Sequence, residues 1–417
     1  MKKTLIRLLA GIILGTGSLA AGAATMNITA SFTPSVSKPE NNTFTNTTPQ
    51  SGYCAVWGCA SNSYSISTNL TLKSNGSPIL VSDTDPRDHV YFKLPARTPV
   101  TITNSSDGTE SIAYISFTNL SVRMYNISNP TSGWSGGSFS YPVGGCSYMN
   151  NSYAGSNRYQ WVWKIKNPAS PAACYKKRLT DYYSVSNAYM DEISVGYTLE
   201  TPNPLKLTAG VYTGSIEYTV GPGSDIDFGN KWDVSSSTLK VNFTLSVNHE
   251  LKLSTTADNQ QVALQPCTSG KVCTAEEGAA NWERWMINRI TPEMTGRSNF
   301  SLSSSGAFTV YLKCEQQSGS DCALRSDNTP SQMVPVQSLL TLPNSIVDSS
   351  TGAVVSKRRL AVGRDLKKNV FTTNSFGENQ AGSIDFLVSK ADVDTMLKTR
   401  PDTYRGAITV IFDPKIY

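Results

Sequence analysis

Residues 234–247 alternate: Leu239, Val241, Phe243, Leu245 and Val247 point one way, and Thr238, Lys240, Asn242, Thr244 and Ser246 the other. A period of two puts one side of a strand in a core and leaves the other in water. Shorter runs with strand character precede it at 64–72, 100–103, 112–124, 159–165, 193–199 and 216–220; in the first of these Tyr64, Ile66, Thr68, Leu70 and Leu72 share a face. The chain restarts after 248–250 with Leu251 and Leu253, and further runs at 262–264, 308–314, 334–342, 384–388 and 404–412 predict a second set of strands. One stretch has helical spacing. At 274–290, Thr274 and Glu277 form a capping box and Trp282, Trp285, Met286 and Arg289 follow, which predicts a short helix covering the second sandwich.

Two runs share a Tyr-x-Gly opening, Tyr212 to Gly214 and Tyr404 to Gly406. The first is followed by the alternating run 234–247, so the part containing it can close itself. The second has no later strand to pair with, and a second domain completed by another chain is the expectation.

Composition strengthens the all-β reading, because Ser, Thr, Asn, Gly and Tyr are abundant and helix-forming stretches scarce. Lys2, Lys3 and Arg7 precede an apolar stretch and small residues ending Ala21, Gly22, Ala23, the pattern of a secretory signal peptide over 1–23. Without those three, 33 of the 36 basic residues face 31 acidic ones, a balance that gives no footprint for nucleic acid. About 390 residues remain, enough for two or three domains; the expected units are 24–247 and 248–417. The eight cysteines fall into sequence neighbours, and in an exported chain they predict disulfides Cys54–Cys59, Cys146–Cys174, Cys267–Cys273 and Cys314–Cys322. No metal or cofactor is expected.

Candidate chemistry is sparse. Gly133, Trp134, Ser135, Gly136 and Gly137 match a hydrolase nucleophile elbow but sit in a Gly/Ser loop, with only His89 and His249 to serve as bases; a flexible loop, and no enzyme, is the better reading. Asp83, Asp85 and Asp88 lack the glycine and closing glutamate of a calcium loop and read as a turn. Asp225 and Asp227 read the same way. Trp161 and Trp163 share a strand face, with Arg158 nearby and Lys176, Lys177 and Arg178 after Cys174. They are either aromatic plates and cations for a sugar, or core residues beside a solvated basic face. Trp57, inside a small cysteine loop, is a further surface candidate, whereas Trp282 and Trp285 are expected in the core.

Phe308, Val310, Leu312, Cys314 and Cys322, with the ending Tyr404, Arg405, Gly406, Ile408, Val410, Phe412 and Tyr417, resemble a pilin domain of chaperone–usher fimbriae. A longer domain before it is similar in arrangement to the two-domain tip adhesins of the CFA/I-type, alternate chaperone class. The resemblance implies two immunoglobulin-like β-sandwiches, a receptor-binding domain at 24–247 and an incomplete pilin domain at 248–417. It implies that a periplasmic chaperone lends a strand, that the next pilin subunit replaces it after passage through the outer-membrane usher, and that a host glycan or protein is the receptor, met at the tip of a surface fimbrium. Ile408, Val410, Phe412 and Tyr417 would face the chaperone or donor strand. The tyrosine here is last rather than next to last, and Asp413, Pro414 and Lys415 are expected to interrupt the strand. Met26, Ile28, Ala30 and Phe32 would form the first strand of the N-terminal domain; the alternative is an adaptor subunit that donates this segment.

Overall fold

The alternating runs become strands. The computed structural model describes residues 23–38, 41–57, 64–126, 134, 141–154, 158–182, 187–268, 270–365 and 367–414; the signal segment, Cys59, Ser135 and Tyr417 lie outside them. Residues 24–247 form a large sheet whose main strands are β1 (Ala24–Phe32), β2 (Leu72–Ser74), β3 (Thr98–Asn104), β4 (Glu110–Tyr125), β5 (Arg158–Ile165), β6 (Tyr189–Glu200), β7 (Gly210–Thr219), β8 (Trp232–Val234) and β9 (Thr238–Val247). They run in the order β8-β2-β6-β4-β3-β7-β9-β1, with β5 also paired to β4. A smaller sheet joins Val90–Phe92, Cys174–Lys176 and Val143–Gly144, and a one-turn helix α1 spans Tyr53–Trp57.

β1 closes this half. It runs parallel to β9, from Ala24 beside Leu239 to Phe32 beside Val247, and Met26, Ile28, Ala30 and Phe32 are at most 3% exposed. Burying Met26, Ile28 and Phe32 contributes roughly 1.5–3 kcal/mol each. The strand expected at 64–72 is interrupted, because Asn69 takes φ +56° and the Thr68 N–H and hydroxyl both turn to the Ile193 carbonyl. Ile66, Thr68, Leu70 and Leu72 are nevertheless all buried.

The second half is a two-layer sandwich. Its strands are β10 (Glu293–Ser304), β11 (Ala307–Cys314), β12 (Asp321–Ser326), β13 (Met333–Thr341), β14 (Gly377–Val388), β15 (Tyr404–Arg405) and β16 (Ile408–Asp413), with helices α2 (Ala275–Asn288) and α3 (Lys390–Leu397). One sheet contains β10, β14, β13 and β12, with β15 on β12; the other joins Ile346–Asp348, Val370–Thr373, β11 and β16. Leu302, Val336, Leu340 and Ile384 of the first layer meet Phe308, Val310, Leu312 and Phe371 of the second in a core separate from that of residues 24–247.

Three expectations change here. Residues 262–264 are irregular, and the strand beside them is Gln265–Cys267, paired with β10. The run 404–412 is two strands in opposite sheets. Gly406 makes the corner, where a Cβ would fall 2.7 Å from Ala323 O and 2.9 Å from Gln316 Oε1. The helix has its capping box, Glu277 N donating to Thr274 Oγ1 at 3.3 Å and Thr274 N to Glu277 Oε2 at 2.9 Å. Yet only Trp282 packs against the core. Trp285 instead lies under the Arg289 and Arg400 guanidiniums, 4.9 and 5.5 Å from its ring centre, and Met286, Ile287 and Ile290 are exposed. Disulfides Cys146–Cys174, Cys267–Cys273 and Cys314–Cys322 are formed. Cys54 is disulfide-bonded as well.

The two halves meet at His249. Its Nε2 lies 2.8 Å from Leu207 O, which can only accept, so Nε2 carries the proton. Ser305 Oγ accepts from Glu250 N at 2.8 Å and sits 3.3 Å from Nδ1, to which its hydroxyl can donate. Phe32 packs edge-on at 6.0 Å, and Gly306 leaves room where a Cβ would come within 2.7 Å of His249 Cγ. Burial pulls the imidazole below its ordinary value against the opposing pull of the Leu207 carbonyl, so the joint holds the neutral ring. Its contribution is therefore complete above the ordinary value of about 6.5 and declines as pH falls through that value towards the lower folded one. The expected outcome is a wild-type thermal midpoint that drops more between about pH 7.5 and about pH 5 than that of His249→Gln; parallel profiles would contradict it.

Candidate functional site

The most unusual surface is the outer side of β16. Leu312 donates to Ala361 O and accepts from Gly363 N, both away from β16, so the ladder to β16 is made by Thr309, Tyr311 and Lys313 opposite Asp413, Ile411 and Thr409. The main-chain N–H and C=O of Ile408, Val410 and Phe412 consequently point to the open side. Among the described residues β11 is the only strand paired with β16.

The side chains tell the same story. Phe308, Val310 and Leu312 on β11 are each 1% exposed, whereas Ile408, Val410 and Phe412, turned to the same core, are only half-buried. Phe412 touches Phe300 and Phe308, with ring centres 5.4 and 6.0 Å away, and so bridges the two layers at their unfilled margin. Near Ile408 the margin deepens into a cavity of about 650 Å³ lined by Leu264, Trp282, Met294, Val336, Met396 and Tyr404. Asp413 does not interrupt the strand as expected: it pairs with Thr309, and its Oδ2 meets Arg364 Nε at 3.1 Å.

The expected receptor cluster in the first half is not a surface. Trp161 and Trp163 are 0% exposed and pack with Phe92, whose ring centre lies 6.4 and 5.6 Å from theirs. β5 is covered on both sides, because Phe92, paired with Cys174 in the small sheet, packs on the tryptophan face and Val162 on the other face packs with Tyr53 and Cys54 of α1. Lys176 and Arg178 are buried too, and Lys177 is half-buried, so the basic triplet is not a solvated face either. Lys176 Nζ donates to the Tyr141 carbonyl, and burial pulls this lysine down to about 8. Arg178 is packed with Trp134 and Tyr182, 4.5 and 5.1 Å from their ring centres, and donates from Nε to Thr180 O at 3.0 Å; burial lowers it as well. Trp57 ends α1, and its side chain lies outside the described atoms.

The remaining motifs have structural partners. His89 is fully buried, its Nε2 3.1 Å from Asp83 O and its Nδ1 accepting from Arg178 N at 3.4 Å. Asp83, Asp85 and Asp88 accept from Leu80 N, Arg87 N and Asn230 Nδ2 respectively. Among the described residues no cluster of three or more His, Cys, Asp or Glu could hold a metal.

Arg158 alone of the cluster joins a different group, and sequence reasoning missed its companions. Arg158 lies opposite Tyr125, Tyr125 opposite Tyr189, Tyr189 opposite Lys73 and Lys73 opposite Asp233, a row across five strands. Its inner neighbours Met124, Met190 and Leu72 are buried, so the row faces outward. These residues are far apart in the chain, and only strand pairing brings them together.

No protein-family model matches the chain, and no curated protein does. Solved structures similar to it include a chain of the chaperone–tip adhesin complex of CFA/I fimbriae, with 10% identity, TM-score 0.24, and coverage of 94% of this chain and 97% of that one. A mutant form of the CFA/I adhesin CfaE of enterotoxigenic Escherichia coli gives 10%, 0.24, 94% and 93%. A chain of the CsuC–CsuE chaperone–tip adhesion subunit complex from archaic Csu pili of Acinetobacter baumannii gives 9%, 0.22, 94% and 98%. Likeness at this level carries no argument about function, which rests on the geometry above.

Because Trp161 and Trp163 are core, Trp163→Ala is expected to lower unfolding stability by about 3–5 kcal/mol, measured by denaturant titration. A variant as stable as wild type would contradict the packing described.

Proposed function

We propose that the chain is a fimbrial adhesin of the chaperone–usher kind, in which residues 24–247 bind a receptor outside the cell and residues 248–417 take up a strand from another protein. The observation that carries this reading is the outer side of β16, where main-chain groups unpaired among the described residues and half-buried apolar side chains lie on one edge. An extended segment with alternating apolar residues would satisfy both at once, by main-chain bonds along β16 and by filling the margin beside Phe412. On this reading a periplasmic chaperone occupies the edge first and the next subunit later, after the usher, and the product sits in the fimbrium at the cell surface. β1 is engaged with β9 in its own half, which favours the tip position over an adaptor that donates this strand.

The test uses the full chain. Co-expression with a chaperone from the same periplasm is expected to give a stable complex, and Val410→Asp, which sets a charge against the donor strand, to weaken it by at least tenfold. Ile411→Thr on the opposite face of β16 serves as the control and should leave the complex intact. A chain that purifies alone and gains no stability from any strand peptide would sink the proposal.

A further inference from the structure

The outward row described above ends in a cleft. Tyr125 and Tyr189 stack face to face, their ring centres 4.5 Å apart and their planes within 8°. The Arg123 and Arg158 guanidiniums lie 4.9 and 5.8 Å from the centre of the Tyr125 ring. Tyr189, 38% exposed, lines a shallow cleft of about 850 Å³ together with Lys73, Asp233, Asn126 and Asn187. The stack fixes the Tyr189 ring where it lines the cleft, so little rotamer freedom is left to lose on binding.

The polar groups around that face are of mixed sign. Arg123 is neutralised by Asp191, at 2.8 Å, and by Glu192. Lys73 and Asp233, neighbours in the row, are exposed, and among the described residues neither side chain has a hydrogen bond or ion pair. Asn126 spends its Nδ2 on the Asn187 carbonyl at 2.8 Å, which leaves its Oδ1 as an acceptor. One cationic donor, one anionic acceptor and an amide oxygen beside a rigid ring suit a ligand with an apolar C–H face and several hydroxyls that donate and accept. An anionic sugar would need an uncompensated cation, and Lys73 has Asp233 beside it. An apolar peptide would leave those charges buried and unpaired.

The geometry points to a neutral pyranose, carried on a glycan, stacked on Tyr189 with its hydroxyls held by Lys73, Asp233 and Asn126. This rests on the adhesin reading only for the glycan's place on a host surface; the site itself stands on its own contacts. The experiment titrates the full mature chain with neutral hexoses, N-acetylhexosamines and sialic acid, followed by ligand-observed NMR. A neutral hexose or N-acetylhexosamine is expected to bind, Tyr189→Ala to weaken it by about tenfold or more, and Tyr189→Phe, which keeps the ring, to bind like wild type. Asp233→Asn should weaken binding, and unchanged thermal midpoints verify that all variants are folded. Binding of sialic acid alone, or equal binding by wild type and Tyr189→Ala, overturns the assignment. A chain that binds the sugar in solution yet attaches to no cell or mucin surface upholds the site and overturns the adhesin reading. Attachment without binding of any neutral sugar does the reverse.

Discussion

A strand whose inward side chains are apolar and whose outward main chain is unpaired must find a neighbour, because both the exposed hydrocarbon and the orphaned N–H and C=O groups cost free energy until it does. This constraint acts twice in the chain with different outcomes. In the first half β9 would present such an edge, and β1 occupies it, parallel and in continuous register from Ala24 to Phe32. In the second half β16 is in the same position and, among the described residues, has only β11. The difference is visible in the packing, where β9 buries Leu239, Val241, Phe243, Leu245 and Val247 completely while Ile408, Val410 and Phe412 remain half-covered.

That asymmetry organises the rest. A half that closes itself can present a fixed outer face, and the Tyr125–Tyr189 stack is held on such a face by Met124 and Met190 buried beneath it. A half left open can join other proteins through its edge. His249 sits between them and ties the segment at Leu207 to Ser305 through its two ring nitrogens.

Much of the fold was legible because its signals are local. The alternation at 238–247, the Thr274–Glu277 box and the close pairs Cys267–Cys273 and Cys314–Cys322 each depend on a short stretch of chain, and each is found as expected. The failures share a non-local cause. Nothing near Gly406 in sequence reveals that Ala323 O will crowd it and split the terminal run between two sheets. Trp161 and Trp163 look like plates for a sugar until Phe92, brought from the small sheet it shares with Cys174, packs on both. The converse holds for Tyr125, Tyr189, Lys73 and Asp233, which are ordinary singly and become a row only through the register of four strands.

The central claim is that the second half lacks a strand beside β16, and amide hydrogen exchange reads that edge residue by residue. In the chain alone, the Thr409 and Ile411 amides, bonded to β11, should be protected while those of Ile408, Val410 and Phe412 exchange rapidly; addition of a bound chaperone or strand peptide should protect all five. Equal protection of the two sets in the chain alone would mean that the edge is already filled, and would contradict the account.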